Sequence, residues 1–348
     1  MKTLISVISE QTIPNLLLIQ ELKGKFDNQL FITTRAMEEQ QRSQWIERAA
    51  GIHENSVRRI EVDENSLPDI RNKLLHSFGE NPSGFYVNMT GGTKPMTIGI
   101  YEFFSKPGNR IVYVPIGKNH QEELYPNPGC DDIPIAYRLN LMEYLLAYGL
   151  YYQSDEALLH PKEFTAVFFN DFRRKKFRFN IEPRIINAQQ NDSEIEKVYY
   201  SGRWFEEFIF TSVAESLQLE SGHIALSVKI FRDPDSPQHD NEFDVMFVLD
   251  NALYVIECKA RVGNYHYIKD NMDDYMNKLA AITRDFGLRV NSFIFTLTDI
   301  ENIAGNKYPN IEKRRRILGI KGIVDAKDFL NGDIEIVNYF SNEAKHNS

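Results

Sequence analysis

The sequence predicts an α/β protein of two domains. Its 348 residues are long for one hydrophobic core and comfortable for two. Short apolar runs alternate with helical patterns as far as residue 117, which predicts a parallel sheet with helices on both faces, a Rossmann-like domain. Asn241–Arg261 reads as one β-hairpin, around which the rest of the chain is organised. The expected division is a first domain over 1–150, a linker or connecting module over 151–195 and a second domain over 196–348.

Leu4–Ser9 is a short continuous apolar run, hence a buried strand. Thr12-Ile13-Pro14 starts a helix with proline near its first position, and Leu16, Leu17, Ile19, Gln20 and Leu22 carry the helical period. Gln29–Thr33 and Val57–Val62 predict strands, with a helix over Met37–Ala50 between them. Leu67–Phe78 predicts a helix capped by Ser66. Gly84–Met89 and Arg110–Ile116 complete five strands, with a helix over Lys94–Phe104 between them. Gln121–Tyr125 adds a further sheet element, Pro126–Asp132 reads as loop, and Asn140–Tyr152 has helical spacing.

Ligands of such sheets bind beyond the carboxyl ends of the strands. Three ends carry suitable residues: Ser9-Glu10-Gln11-Thr12, Thr33-Thr34-Arg35 and Asn88-Met89-Thr90-Gly91-Gly92-Thr93-Lys94-Pro95. In the last, two glycines at a strand-to-helix turn let backbone N–H groups approach a ligand, and the helix N-terminus favours phosphate. Lys94 adds charge, and Asn88, Thr90 and Thr93 can reach a base or ribose. The spacing is neither a P-loop nor G-x-G-x-x-G, which argues against a dinucleotide redox cofactor. The alternative is a tight turn that binds nothing.

Between Ser154 and Asn191 the composition changes. Arg173-Arg174-Lys175-Lys176 and Arg178 lie among Phe172, Phe177 and Phe179, a mixture that suits a nucleic-acid path or a solvated basic face. Gly202–Leu217 predicts a helix with an apolar stripe of Trp204, Phe205, Phe208, Ile209 and Val213, placing Glu206 or Glu207 beside the hairpin. Ile224–Phe231 and Ser292–Thr298 predict strands, and Asn271–Phe286 a helix. Lys313–Arg316 offers charge either to phosphates or to solvent, Ile317–Val324 holds a strand-like run, and Asn331–Phe340 closes the chain as a strand and helix edge.

In the hairpin, Asp250-Asn251 is the turn dipeptide, so Leu249 faces Ala252, Met246 faces Val255 and Asp244 falls opposite Glu257. Opposed residues on one sheet face have Cβ atoms roughly 4.5–5.5 Å apart. Two carboxylates that close repel unless a proton or a cation sits between them. Lys259, two residues beyond Glu257, points to the same face. Asp, Glu and Lys converging on a buried hairpin is what a hydrolytic Mg²⁺ or Mn²⁺ site needs; a structural ion-pair cluster is the alternative.

Composition sets outer bounds. Hydrophobic content of 42% and charged content of 26% are ordinary for a globular protein. A net charge of −9 argues against constitutive, tight nucleic-acid binding but leaves room for an enzyme with a local basic groove. Two cysteines, Cys130 and Cys258, make neither a disulfide framework nor a zinc pattern, which fits a reducing cytosol. No apolar stretch approaches a membrane span and the N-terminus lacks a signal-peptide layout, so a cytoplasmic protein without membrane contact is expected.

On these residues a family can be named. Gly202-x-Trp204-Phe205-Glu206, then Asp244, then Glu257-Cys258-Lys259 resembles the PD-(D/E)xK, restriction-endonuclease-like fold. Ser9-Glu10-Gln11-Thr12-x-Pro14-Asn15 and Met89–Met96 resemble CARF domains, the cyclic-oligoadenylate sensors of type III CRISPR systems. Together they are similar to CRISPR ancillary nucleases that join one CARF domain to one PD-(D/E)xK domain. The resemblance implies a homodimer with cyclic tetra-adenylate at the CARF dimer interface, held by Ser9, Glu10, Gln11, Thr34, Asn88, Thr90, Gly91, Gly92, Thr93 and Lys94. It implies Glu206, Asp244, Glu257 and Lys259 as catalytic residues, with Mn²⁺ or Mg²⁺ on Asp244, Glu257 and the backbone carbonyl of Cys258. The expected reaction is hydrolysis of single-stranded DNA and RNA, with duplex nicking as the alternative. A second reading is a nucleotide sensor whose inactive nuclease-like domain binds nucleic acid or a partner; the complete Asp244/Glu257/Lys259 set counts against it.

Overall fold

The computed structural model describes residues 2–53, 57–155, 157–174, 194–260, 265–300, 304–305, 308–330 and 338–340. The chain divides into two compact units, one running to Tyr151 and including Phe286–Arg289, the other formed by Tyr152–Asp285 and the chain from Val290 onward.

The first unit holds β1 (Thr3–Val7), α1 (Ile13–Glu21), β2 (Asn28–Thr33), α2 (Arg35–Glu39), α3 (Arg42–Ala49), β3 (Arg58–Glu61), α4 (Leu67–Phe78), β4 (Phe85–Asn88), α5 (Lys94–Phe104), β5 (Arg110–Tyr113), β6 (His120–Tyr125), β7 (Ile133–Pro134) and α6 (Leu141–Leu146). Its sheet runs β3-β2-β1-β4-β5-β6-β7. The first five strands in that order are parallel, β6 pairs antiparallel with β5, and β7 pairs antiparallel with β6. This is the expected Rossmann-like arrangement, with the order reversing between β1 and β4. Ile5, Val7, Ile32, Val87 and Ile111 from the strands bury against Ile70, Leu74, Met96, Ile100 and Phe104 from α4 and α5. α4 starts as its sequence dictates, with Ser66 Oγ accepting from Asp69 N at 3.3 Å.

Two helices differ from expectation. The run Met37–Ala50 is broken into α2 and α3, because Gln41 takes φ +58°, a left-handed value that no continuous helix accommodates. The run Asn140–Tyr152 supports only α6, opened by a reciprocal Asn140/Glu143 capping box. Gly149 then turns the chain at φ +71°, where a Cβ would lie 2.2 Å from the Trp45 ring.

The second unit contains β8 (Tyr151–Gln153), α7 (Lys162–Arg174), α8 (Glu194–Val198), a π-helical turn over Tyr199–Arg203, α9 (Trp204–Ser216), β9 (Ile224–Phe231), β10 (Asn241–Leu249), β11 (Ala252–Lys259), α10 (Tyr265–Thr283), β12 (Val290–Thr296), α11 (Tyr308–Ile317), β13 (Gly322–Val324) and α12 (Ala326–Leu330). Its sheet order is β13-β12-β11-β10-β9-β8. β9, β10 and β11 are antiparallel neighbours, while β11, β12 and β13 are parallel. Phe168, Phe169 and Phe172 of α7 share one core with Trp204, Phe205, Ile209 and Val213 of α9 and with the sheet residues Val245, Phe247, Ile256 and Phe295. The described part of 151–195 therefore differs from a linker: it supplies an edge strand and a core helix, since its buried face, Thr165, Phe168, Phe169 and Phe172 at i, i+3, i+4 and i+7, must be covered. Lys175, Lys176, Phe177, Arg178 and Phe179 lie outside the described residues, as do 331–337.

The hairpin takes the expected register, pairing Leu249 with Ala252 and Met246 with Val255. Asp250 and Asn251 stand at φ +49° and +61°, the signature of a type I′ turn. In the basic run of α11, Arg314 Nε pairs with Asp273 at 3.2 Å, and Arg315 binds Glu312 and the carbonyls of Ile320 and Lys321. Both are engaged by the fold itself. No helix among the described residues is long and apolar enough to cross a membrane.

Candidate functional site

The first candidate site lies at the β1/β4 switch point, where the two crossover directions part and leave a crevice beyond the strand ends. Val7 ends β1 and Asn88 ends β4, so Ser9–Gln11 and Asn88–Lys94 meet there. The approach is close: a Cβ on Gly91 would lie 2.4 Å from the Val7 carbonyl oxygen and 2.8 Å from Ser9 Oγ. Only glycine fits between the two loops. Gly92, at φ +95°, is the second glycine the turn requires.

Beneath the loops lies a buried amide ladder. Asn15 Nδ2 donates to the Val7 carbonyl at 2.9 Å, and Asn88 Nδ2 donates to Asn15 Oδ1 at 2.8 Å. Asn88 Oδ1 accepts from Thr90 N at 3.2 Å and from its hydroxyl, and Thr90 Oγ1 accepts from Val114 N at 2.8 Å. Asn88 and Thr90 thus shape the crevice from below. Thr34, expected among the ligand contacts, is buried and caps α2, its hydroxyl accepting from Met37 N at 3.3 Å. Gln11 Oε1 accepts from Tyr148 Oη at 3.3 Å. Glu10, Gly92, Thr93 and Lys94 remain exposed at the mouth. Sequence reading missed Arg42, which lies near Glu10; burial lowers its pKa against the pull of that carboxylate.

The second candidate site is built on the hairpin. Asp244 sits at a gap in the ladder on both sides. The pairs with β9 run through Phe243–Val228 and Val245–Leu226 and skip Asp244–Ser227, where Ser227 takes φ +51°. The pairs with β11 stop at Val245–Ile256. The Asp244 carboxylate fills the gap itself, Oδ2 accepting from Cys258 N at 2.5 Å. Lys259 Nζ donates to Glu257, and lies 4.9 Å from the Tyr275 ring centroid.

Glu206 arrives from the first turn of α9, and what holds it is a residue the sequence reading did not single out. Arg203 is 6% exposed and reaches Asp155 at 2.8 Å, Glu206 at 3.4 Å and Glu207 at 3.2 Å, and it donates to the Ser227 hydroxyl. The spacing i, i+3, i+4 on one helical face was the available signal. Glu207, fully buried, points to the interior and accepts from Leu159 N at 2.8 Å, which leaves Glu206 as the carboxylate facing the site. Arg203, Glu206, Glu242, Cys258 and Lys259 line a cavity of about 650 Å³.

The electrostatics match a cation site. Burial, then the Glu257 and Glu206 carboxylates, push the Asp244 carboxyl well above its usual range. Burial also raises Glu206, against the pull of Arg203 and Lys259. For Lys259 burial works against the ammonium, but Asp244 and Glu257 outweigh it and the pKa rises. Asp244, Glu257 and Glu206, all half-buried, face Lys259 and an Arg203 that also serves Glu207 and Asp155, so the cleft is short of positive charge. Hard oxygen donors in that deficit fit Mn²⁺ or Mg²⁺. A separate trio, His120, Glu122 and Asp132 on the first unit, is also spaced for a metal ion but is more exposed.

Residues 3–144 match the family model of the Card1 CARF domain, and residues 193–335 match that of the Card1-like endonuclease domain. The chain thus joins a sensor domain of the CARF class to an endonuclease domain, and both halves are of the Card1 type. No curated protein matches the sequence. Among solved structures, protein VC1899 from Vibrio cholerae aligns with a TM-score of 0.75 at 15% identity, over 99% of this chain and 98% of that one. Can2 from Sulfobacillus thermosulfidooxidans, solved with cyclic tetra-adenylate, aligns at 0.69 and 18% identity over 97% and 99%. A type III CRISPR defence DNA nuclease activated by cyclic oligoadenylate aligns at 0.57 and 16% identity over 84% of this chain and 45% of that one. At these identities the likenesses establish a shared fold.

Proposed function

We propose that this protein is an ancillary endonuclease of type III CRISPR defence. Cyclic tetra-adenylate bound by its CARF domain activates hydrolysis of phosphodiester bonds in single-stranded DNA and RNA. The carrying observation is the half-buried Asp244 beside Glu257 and Glu206, with Lys259 on the same side of the cleft. Asp244, Glu257 and the Cys258 carbonyl would hold Mn²⁺ or Mg²⁺, with Glu206 adjacent. When bound, the ion supplies Lewis-acid polarisation of the phosphoryl oxygen and acidifies a water. Lys259, kept protonated by its two carboxylate neighbours, orients that water and stabilises the charge that builds on the phosphate. Arg203 keeps Glu206 turned toward the cleft.

The sensing half of the proposal rests on the switch-point crevice and its glycine turn, with Ser9, Glu10, Gln11, Thr93 and Lys94 at hand for ribose, base and phosphate. The likeness to a neighbour solved with cyclic tetra-adenylate favours that ring size. A ring with internal two-fold symmetry suits a homodimer axis. Activation then requires that the bound dimer favour a different arrangement from the free one.

The test is one cleavage assay with Mn²⁺ on labelled single-stranded DNA, RNA and supercoiled plasmid, with and without cyclic tetra-adenylate. Cleavage of single strands only with the ligand is expected. Measurable ligand binding without cleavage of any substrate would overturn the nuclease assignment in favour of a sensor that binds nucleic acid or a partner.

A further inference from the structure

We propose that the first unit carries a second small-molecule site, at the end of its sheet opposite the β1/β4 crevice, and that its ligand is a mononucleotide. The site is a cavity of about 760 Å³ lined by residues that precede or open β1, β4 and β5 and by the return strand β6. At ~3.3 Å per residue, β1 alone separates it from the crevice by about 13 Å. Its volume falls within the range of small-molecule pockets.

Three features define the chemistry. The first is an aromatic wall: Phe26 meets Tyr86 edge-on, ring centroids 5.4 Å apart, and the Arg110 guanidinium lies 5.8 Å from the Tyr86 centroid. A flat base packs on such a surface. The second is a buried donor. Gln121 is 3% exposed and its Oε1 accepts from Tyr86 Oη at 2.5 Å, while its Nε2 has no partner among the described residues. Burial pushes the Tyr86 hydroxyl up to about 12, so it stays a donor and keeps the amide oriented. An amide N–H₂ left open in a cavity wall is matched by a ring nitrogen or carbonyl of a base.

The third feature is uncompensated positive charge. The lining carboxylates are already committed: Glu21 Oε2 accepts from Ala136 N and Tyr137 N, both at 2.9 Å, and Glu123 pairs with Arg110 and accepts from Asn127 N at 3.1 Å. Lys2 and Lys25, on the same lining, make no ion pair among the described residues. Against a net charge of −9 for the chain, two ammonium groups with no ion pair among the described residues, beside an aromatic wall, select an aromatic anion. A nucleoside monophosphate satisfies all three features together: base on the wall, base edge on Gln121, phosphate on the lysines.

The test titrates the full-length protein with AMP, adenosine and inorganic phosphate by calorimetry, with and without saturating cyclic tetra-adenylate. Saturable binding of AMP is expected, tighter than either fragment and undiminished by the cyclic ligand. Lys25→Glu should weaken it at least about tenfold, the worth of one charge-assisted contact. Phe26→Leu should weaken AMP and adenosine alike. Absence of saturable binding would overturn the proposal. So would displacement by cyclic tetra-adenylate, phosphate or adenosine binding as tightly as AMP, or Lys25→Glu without effect. Because the site and the readout are independent of cleavage, failure here leaves the nuclease assignment standing, and the reverse.

Discussion

Replacing Arg203 by methionine removes a cation that reaches Glu206, Glu207 and Asp155 while preserving most of the side-chain volume. Asp155 is half exposed, so its share of the loss is small. Glu207 is fully buried and would be left as an unpaired charge. Breaking a buried pair from one side costs about 3–5 kcal/mol. At about 2–4 °C per kcal/mol for a unit of this size, the second unit should melt roughly 6–20 °C lower. The two tryptophans separate the readouts, since Trp45 lies in the first unit and Trp204 in the core of the second. In a Trp45→Phe background, Trp204 emission follows the second unit alone. Adding Glu207→Gln should recover at least half of the lost stability by removing the stranded charge, without restoring activity, because Glu206 still lacks its anchor. A destabilisation under about 1 kcal/mol would refute the reasoning, since it would mean that Glu207 needs no counter-charge.

Glu257→Gln and Lys259→Ala should each abolish cleavage while cyclic tetra-adenylate binding, read by calorimetry, stays at the wild-type value. In metal-free protein the raised Asp244 pKa means the folded state keeps this proton where the unfolded state, near ~3.9, has lost it. Its contribution to stability therefore falls as pH rises through that window, and Asp244→Asn should gain on wild type with increasing pH in denaturant melts. Mn²⁺ should raise the melting temperature of wild type more than that of the Asn variant. Gly91→Ala, whose Cβ would meet the Val7 carbonyl, should cost about 1–3 kcal/mol and raise the cyclic tetra-adenylate needed for half-maximal activation about tenfold or more. Lys94→Ala should weaken activation in the same assay and leave the melting temperature unchanged.

How much of the molecule is legible in its sequence depends on how local the determinants are. α4 and α5 occupy the spans that the Ser66 cap and the apolar period predict. The hairpin is legible because a two-residue turn converts sequence distance into spatial register, and that register alone brings Asp244 near Glu257. Gln41 is not legible, since an exposed glutamine in a left-handed conformation leaves no propensity signal. Helix α7 reads as linker although its phenylalanines carry a helical period, because the basic run that follows dominates the composition of the segment. Arg203 escapes notice for a different reason. A buried arginine is recognised by its partners, and two of them, Asp155 and Ser227, come from elements remote in sequence. Thr34 has the side chain that a ligand contact and a helix cap both use, and its hydroxyl caps α2.

The hairpin is pinned at two points, by the Asp250-Asn251 turn and by the Asp244 carboxylate bound to the Cys258 amide. Between them a shift of one residue would send every side chain to the opposite face. This makes the segment behave like a keyed part. The polar stretch Asp233–Asp240 ahead of it can absorb insertions, because it feeds the clamp without lying inside it. A single residue added at Asp250-Asn251 and not taken up within the turn would swing Glu257 and Lys259 away from Asp244 and into the core that Ile256 and Cys258 occupy, at a cost to folding as well as to chemistry. Drift in loop length across such proteins should therefore accumulate on one side of β10 and stop abruptly on the other.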